Sequence, residues 1–189
     1  MVRIGCGTGH RFSALVTDMD QPLGLYVGNA LEVREAIEVL SGRAGGALLD
    51  VSLQLGAQML RSCRLADSAD EAMAMLRAAL ADGRGLKKLA DMIEAQGGER
   101  RVAYEPDRLP QAEGRIDIAA EKSGYVRAVA TSDIGYAAQA LGAGREKADD
   151  VIDPAAGIIM KKRLGEYVEK GEIWCELHVG AHSDVPAAQ

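Results

Sequence analysis

The sequence is poor in aromatic side chains, in cysteine, in positive charge and in long apolar runs, and most of these shortages remove a class of protein. Phe, Trp and Tyr make up 4% of the 189 residues, with one Trp and one Phe among them. No run approaches the roughly 18 apolar residues that a membrane-spanning helix needs. The three cysteines, Cys6, Cys63 and Cys175, are odd in number and far apart. That spacing argues against a disulfide framework, offers no zinc-ligand pair, and suits a reducing, cytoplasmic location. Lys and Arg number 22 against 28 Asp and Glu, for a formal net charge of −6. Such a balance argues against a broad nucleic-acid footprint and against an anionic membrane as partner. The opening M-V-R-I-G-C-G-T-G-H is too short and too glycine-rich for a signal-peptide core.

What is present belongs to a globular protein: 48% apolar and 26% charged residues, enough chain for one medium domain or two small ones. Met1 to Ile4 reads as the last turn of a helix. F-S-A-L-V-T, residues 12–17, reads as a short buried strand. From Asn29 to Gly42, Ala30, Leu31, Ala36, Ile37 and Leu40 recur at helical spacing. A second helix is expected from Ala47 to Cys63. Ser68 followed by Glu71 is a capping-box pattern that starts a third, and L-K-K-L-A-D-M-I-E-A-Q carries a fourth to Gly97-Gly98.

The character then changes. Residues 104–113 contain two prolines and no helical period, and read as a linker. Short β-like pieces follow, R-I-D-I-A-A, G-Y-V-R-A-V-A, G-I-I-M-K-K and E-I-W-C-E-L-H-V, with one short helix at I-G-Y-A-A-Q-A-L-G. The tail, residues 181–189, is expected to end without a closing element. The strand at 12–17 has no obvious partner in the first hundred residues, so part of its sheet is expected to lie outside the chain.

Several patterns invite chemistry, and the plainer reading wins for most. G-C-G-T-G, residues 5–9, lacks the strand-before, helix-after context of a dinucleotide fingerprint and reads as a connection. His178 and His182 have H-x-x-x-H spacing, but the segment is a strand end with a glycine, so a shared metal is not expected. His10 reads as a solvated loop residue. Met160-Lys161-Lys162 resembles the lysine turn of a biotin or lipoyl carrier, yet it lies inside a β-like run rather than at a hairpin tip. Asp18 and Asp20 could couple as an acid–base pair; with no nucleophile nearby they read as turn-bracing acids, Pro22 fixing the geometry. Glu32 and Glu35 follow on the first long helix. The carbonyls of L-G-L-Y with one carboxylate would suit an alkali or alkaline-earth ion, although spacing alone ranks Glu35 no higher than a surface glutamate.

T-D-M-D-Q-P-L-G followed by V-G-N-A-L-E-V-R-E-A-I resembles the signature segment of the pyrimidine-nucleoside phosphorylases, the group that includes thymidine phosphorylase. The likeness continues through M-I-E-A-Q-G-G, the L-P linker, S-G-Y-V, L-G-A-G-R and V-E-K-G-E, in order along nearly the whole chain. It implies an α/β fragment, a strand plus helices from a larger α/β domain, at residues 1–103. After the linker it implies a β-rich barrel-sandwich hybrid module at 114–180 and a tail at 181–189. It implies phosphorolysis of a pyrimidine nucleoside to free base and (deoxy)ribose 1-phosphate, phosphate being co-substrate, by a homodimer. The family's lysine–histidine–serine phosphate loop and its base-holding arginine, serine and lysine have no counterpart here. The chain is therefore expected to be a C-terminal portion, catalytically incomplete without the N-terminal half, the alternative being a non-enzymatic interaction module or pseudoenzyme remnant. One site carries over. The resemblance implies a potassium ion held by the carbonyls of Leu23 and Tyr26 and the carboxylate of Glu35, with further ligands from the phosphate loop.

Overall fold

The computed structural model describes residues Met1–Gln189. In chain order the first elements are α1 (Val2–Gly7), β1 (Tyr26–Val27), α2 (Asn29–Leu40), α3 (Ala47–Ser62), α4 (Ala69–Ala81) and α5 (Arg84–Ala95). Two 3-10 turns, Arg100–Ala103 and Pro106–Arg108, lead to β2 (Gly114–Ala119), β3 (Gly124–Tyr125), α6 (Thr131–Ala140), β4 (Gly157–Met160), β5 (Tyr167–Val168), β6 (Ile173–Val179) and α7 (Val185–Ala188). The chain divides into two compact units. One comprises Met1–Asp18 and Glu38–Gly98; the other comprises Met19–Ile37 and Glu99–Gln189.

The first unit is helical, and its helices follow the expected bounds closely. Ser68 Oγ accepts the Glu71 amide at 3.1 Å, while the Glu71 carboxylate reaches back to the Asp67 amide at 2.8 Å. The first bond satisfies a donor that a helix start otherwise leaves open, and the second ties down the residue before the N-cap. At the end of α5, Gly97 takes the left-handed conformation (φ 83°) and the Gly98 amide returns to the Ile93 carbonyl, closing the helix as a glycine stop does. The buried cluster is built from small residues, Ala57, Ala66 and Ala72, with Leu60, Met73 and Leu76 packed around them. Gly56 lets Leu76 approach: a Cβ there would lie 3.0 Å from Leu76 Cδ1.

Residues 12–17 do not form a strand. They are irregular and exposed throughout, because a lone strand leaves its amides and carbonyls without a ladder. Phe12 instead lies against Gly5, where a Cβ would stand 2.2 Å from its ring. That contact, with Thr8 Oγ1 donating to the Gly5 carbonyl, accounts for G-C-G-T-G as the end of α1.

The second unit is built on an antiparallel four-stranded sheet, order β1-β4-β6-β2, beside a two-stranded pair, β3-β5. Period-two alternation sorts its faces. Val27, Ile158, Leu177 and Ile116 form one cross-strand row, and Met160, Cys175 and Ile118 the next. Ala138 and Leu141 at α6 seal these rows into the core, with Val185 and Ala188 of α7 packed on it. Burial pushes the Cys175 thiol up to about 11, so it behaves as a small apolar side chain.

Three sequence expectations change here. The tail does close, because Asp184 caps α7 by accepting the Ala187 amide. The stretch 104–113 is not a structureless linker: it includes the 3-10 turn at Pro106–Arg108, which Arg34 of α2 grips through Asp107 (3.0 Å) and the Pro106 carbonyl (2.9 Å). Of G-Y-V-R-A-V-A only Gly124–Tyr125 is strand.

Candidate functional site

The signature segment gathers around Glu35. The turn before β1 brings the amides of Leu25 and Tyr26 onto its carboxylate, at 2.7 Å to Oε1 and 3.3 Å to Oε2. Gly24 makes the approach feasible, since a Cβ there would lie 2.1 Å from Oε2. Glu35 is 8% exposed and forms no ion pair. A carboxylate held that deep with only two neutral donors has unspent negative charge.

The ladder decides where the Tyr26 carbonyl points. The Met160 amide donates to the Leu25 carbonyl at 2.7 Å, a ladder bond that flanks the Tyr26↔Ile159 pair and leaves that pair non-hydrogen-bonded. Tyr26, opposite Ile159, then directs both its backbone groups away from β4, toward the open edge where its amide meets Glu35. The Leu23 carbonyl accepts from Arg163 Nη1 at 3.1 Å, and the Pro22 carbonyl accepts from Nη2 at 3.1 Å. Leu23, Tyr26 and Glu35 are thus parts of one local structure, and their oxygens are hard donors of the kind alkali and alkaline-earth ions take. In donor chemistry, the residues fit the ion.

Arg163 was not legible as part of this site from the sequence. The signal available was the M-K-K-R run, whose lysines suggested a carrier turn. In the structure Lys161 pairs with Glu176 at 3.4 Å, and Lys162 reaches Glu172 and the Tyr167 carbonyl. Both lysines are tied down rather than presented at a tip. Glu32 closes its own helix start by accepting the Gly28 amide at 3.2 Å. Asp18 and Asp20 lie on the exposed stretch before the loop, and His10 and His182 are exposed as well. No group of three or more His, Cys, Asp or Glu side chains is placed to share a metal ion.

His178 stands apart from His182. It is 5% exposed and its Nε2 lies 2.7 Å from Glu176 Oε1. Burial, the largest influence, lowers its pKa despite the upward pull of Glu176. For Glu176 burial pushes upward, but the His178 bond and the Lys161 charge outweigh it and leave the carboxyl below its usual value. Both native values lie below the unfolded ones, so acid favours the unfolded chain. The stability from His178 is complete above about pH 6.5 and is lost as pH falls from there to its lower native value. That of Glu176 is lost later, below about pH 4.3. Thermal unfolding between pH 7.5 and pH 5 should show a declining midpoint that His178→Asn flattens; a flat wild-type profile would contradict this account.

A cavity of about 380 Å³ lies beside Trp174, lined mainly by Val126, Val129, Ile134, Met160 and Val168. Its walls are mostly apolar, with Asp133 and Lys162 the charged residues among its lining.

Residues 125–189 match the pyrimidine nucleoside phosphorylase C-terminal domain. A pyrimidine-nucleoside phosphorylase of Bacillus subtilis (strain 168) is 44% identical over 172 residues, covering 91% of this chain and 40% of the relative. One from Staphylococcus aureus (strain USA300) is 44% identical over 178 residues, covering 94% of this chain and 41% of the relative. The chain spans about 40% of the length of these relatives. Over 91–94% of its residues the chain is thus similar to these two pyrimidine-nucleoside phosphorylases, and its residues 125–189 are similar to the C-terminal domain of such enzymes.

Proposed function

We propose that the chain works as the C-terminal part of a pyrimidine-nucleoside phosphorylase. Such an enzyme transfers the pentosyl group of a pyrimidine nucleoside, thymidine or uridine, to inorganic phosphate, releasing the base and (deoxy)ribose 1-phosphate. The observation that carries this reading is the conjunction, in one compact unit, of the family's C-terminal module with the loop and helix that join Leu23, Tyr26 and Glu35. Phosphate attacks C1′ while an oxocarbenium-like sugar parts from the base, so rate comes from positioning and charge stabilisation. The phosphate- and base-holding side chains come from another segment, in the same polypeptide or a partner. The assembled enzyme is a cytoplasmic homodimer, and the sheets of four and two strands are the halves of a barrel-sandwich hybrid.

Within that enzyme this chain's share is to hold one side of a cation bridge. Glu35 supplies the charge, and the carbonyls of Leu23 and Tyr26 supply neutral ligands, a set suited to potassium. The bound ion would lend positive charge beside the phosphate loop. Alone, with only these ligands, the chain binds the ion weakly.

The test is complementation. The chain is mixed or co-expressed with the remaining, N-terminal part of the Bacillus subtilis relative, and phosphorolysis of thymidine and uridine is followed by release of base. Activity is expected from the pair and from neither piece alone. Substantial turnover by the chain alone would refute its incompleteness; assembly without turnover would favour a non-enzymatic interaction module.

A further inference from the structure

Two side chains of opposite charge hold the loop Gln21–Tyr26 by its two kinds of backbone group. Glu35 takes amides, those of Leu25 and Tyr26. Arg163 takes carbonyls, its two terminal nitrogens each 3.1 Å from the oxygens of Leu23 and Pro22. The next residue repeats the attachment, the Leu164 amide donating to Gln21 Oε1 at 3.1 Å. A half-buried guanidinium forked on successive carbonyls is a fixed charge, not a mobile surface one.

The Leu23 oxygen is also the ligand that the cation reading uses. One carbonyl has two lone pairs, so a guanidinium and an ion can share it. They are then separated by a single oxygen atom. A fixed positive charge so placed penalises a second cation in proportion to that cation's charge. Carbonyls with a carboxylate would otherwise serve calcium well. We propose that Arg163 determines the selectivity of the Leu23–Tyr26–Glu35 site: its fork sets the loop carbonyls, and its charge turns away divalent ions so that a monovalent ion is taken. This rests on the cation reading above.

The test compares the full chain with Arg163→Gln, which removes the charge, and Arg163→Lys, which keeps the charge but loses the fork. The probes are thallium(I), read by its NMR signal, and calcium, read by calorimetry, in choline chloride. The amide resonances of Leu25 and Tyr26 report whether an ion occupies the site. Wild type and Arg163→Lys should prefer thallium(I), Arg163→Lys binding both ions less tightly. Arg163→Gln should shift the calcium-to-thallium affinity ratio toward calcium by about tenfold or more. If Arg163→Gln weakens both ions equally, Arg163 only shapes the loop and the selectivity proposal falls. A wild type that already prefers calcium overturns it as well. If no variant binds either ion with a change at Leu25 or Tyr26, the cation reading itself fails.

Discussion

Gly157→Ala should destabilise the β-rich unit by roughly 3 kcal/mol or more, seen as a large drop in its unfolding midpoint. Gly157 opens β4 and pairs with His178 of β6. A Cβ there would lie 2.2 Å from the Val27 carbonyl oxygen, 2.9 Å from Leu31 Cδ1 and 3.0 Å from Gly28 Cα. The first obstacle is backbone, which cannot swing aside as a side chain can. Relief would require β1 to part from β4, losing the pairs Tyr26↔Ile159 and Val27↔Ile158 and the bond from the Met160 amide to the Leu25 carbonyl. The Ala30 amide, bonded to the Pro154 carbonyl at 2.9 Å, ties the start of α2 to the same place. Gly135→Ala is the matched control. Gly135 sits within α6 with nothing inside 4 Å of its Cβ position, so alanine there should be neutral or stabilising by about 0.5–1 kcal/mol. Equal midpoints for the two variants would show that Gly28 and Gly157 do not form a close backbone crossing.

The same crossing explains what could be read from the sequence and what could not. The helices were legible because their signals are local. Ser68 with Glu71 opens α4, Gly97-Gly98 closes α5, and the apolar spacing from Ala30 to Leu40 marks α2. β2 and β6 were legible too, since Ile116/Ile118 and Cys175/Leu177 fall on alternate positions. β1 was not. Two residues long, it exists only because Met160, more than 130 positions later, supplies the amide for the Leu25 carbonyl. F-S-A-L-V-T failed for the converse reason: it has strand composition, but no segment supplies its ladder. The discontinuous β-rich unit follows from such pairings, and no local rule joins residues 19–37 to residues 99–189. The candidate site divides similarly. Glu35 could be placed one to two turns into a helix, and family resemblance added Leu23 and Tyr26. Arg163 lies 140 positions from the carbonyl it holds, and an arginine after two lysines carries no signal of a backbone partner.

Glu35→Ala should cost about 2–4 kcal/mol, because it leaves two amides without their acceptor in a nearly closed space. The Leu25 and Tyr26 amides should lose most of their protection from hydrogen exchange. Unfolding should begin at the β1 edge, where Tyr26 has no strand beyond it. Glu35→Gln separates the two roles of the side chain. Its single amide oxygen can keep one of the two bonds, so stability should fall by less than in the alanine variant, about 1–2 kcal/mol. Its negative charge is gone, however, so any rise in the wild-type midpoint when potassium replaces choline should vanish in both variants. Glu32→Gln is the control on the same helix: it keeps an oxygen for the Gly28 amide, lies exposed, and should retain both the stability and the potassium effect. Unchanged exchange at Leu25 and Tyr26 in Glu35→Ala would mean that the loop does not depend on the carboxylate. A potassium effect surviving in Glu35→Gln would place the ion elsewhere. Each carboxylate oxygen keeps a second lone pair beside the amide it accepts, so on the proposed cation reading amides and ion would share Glu35, and ordering the loop should tighten the ion.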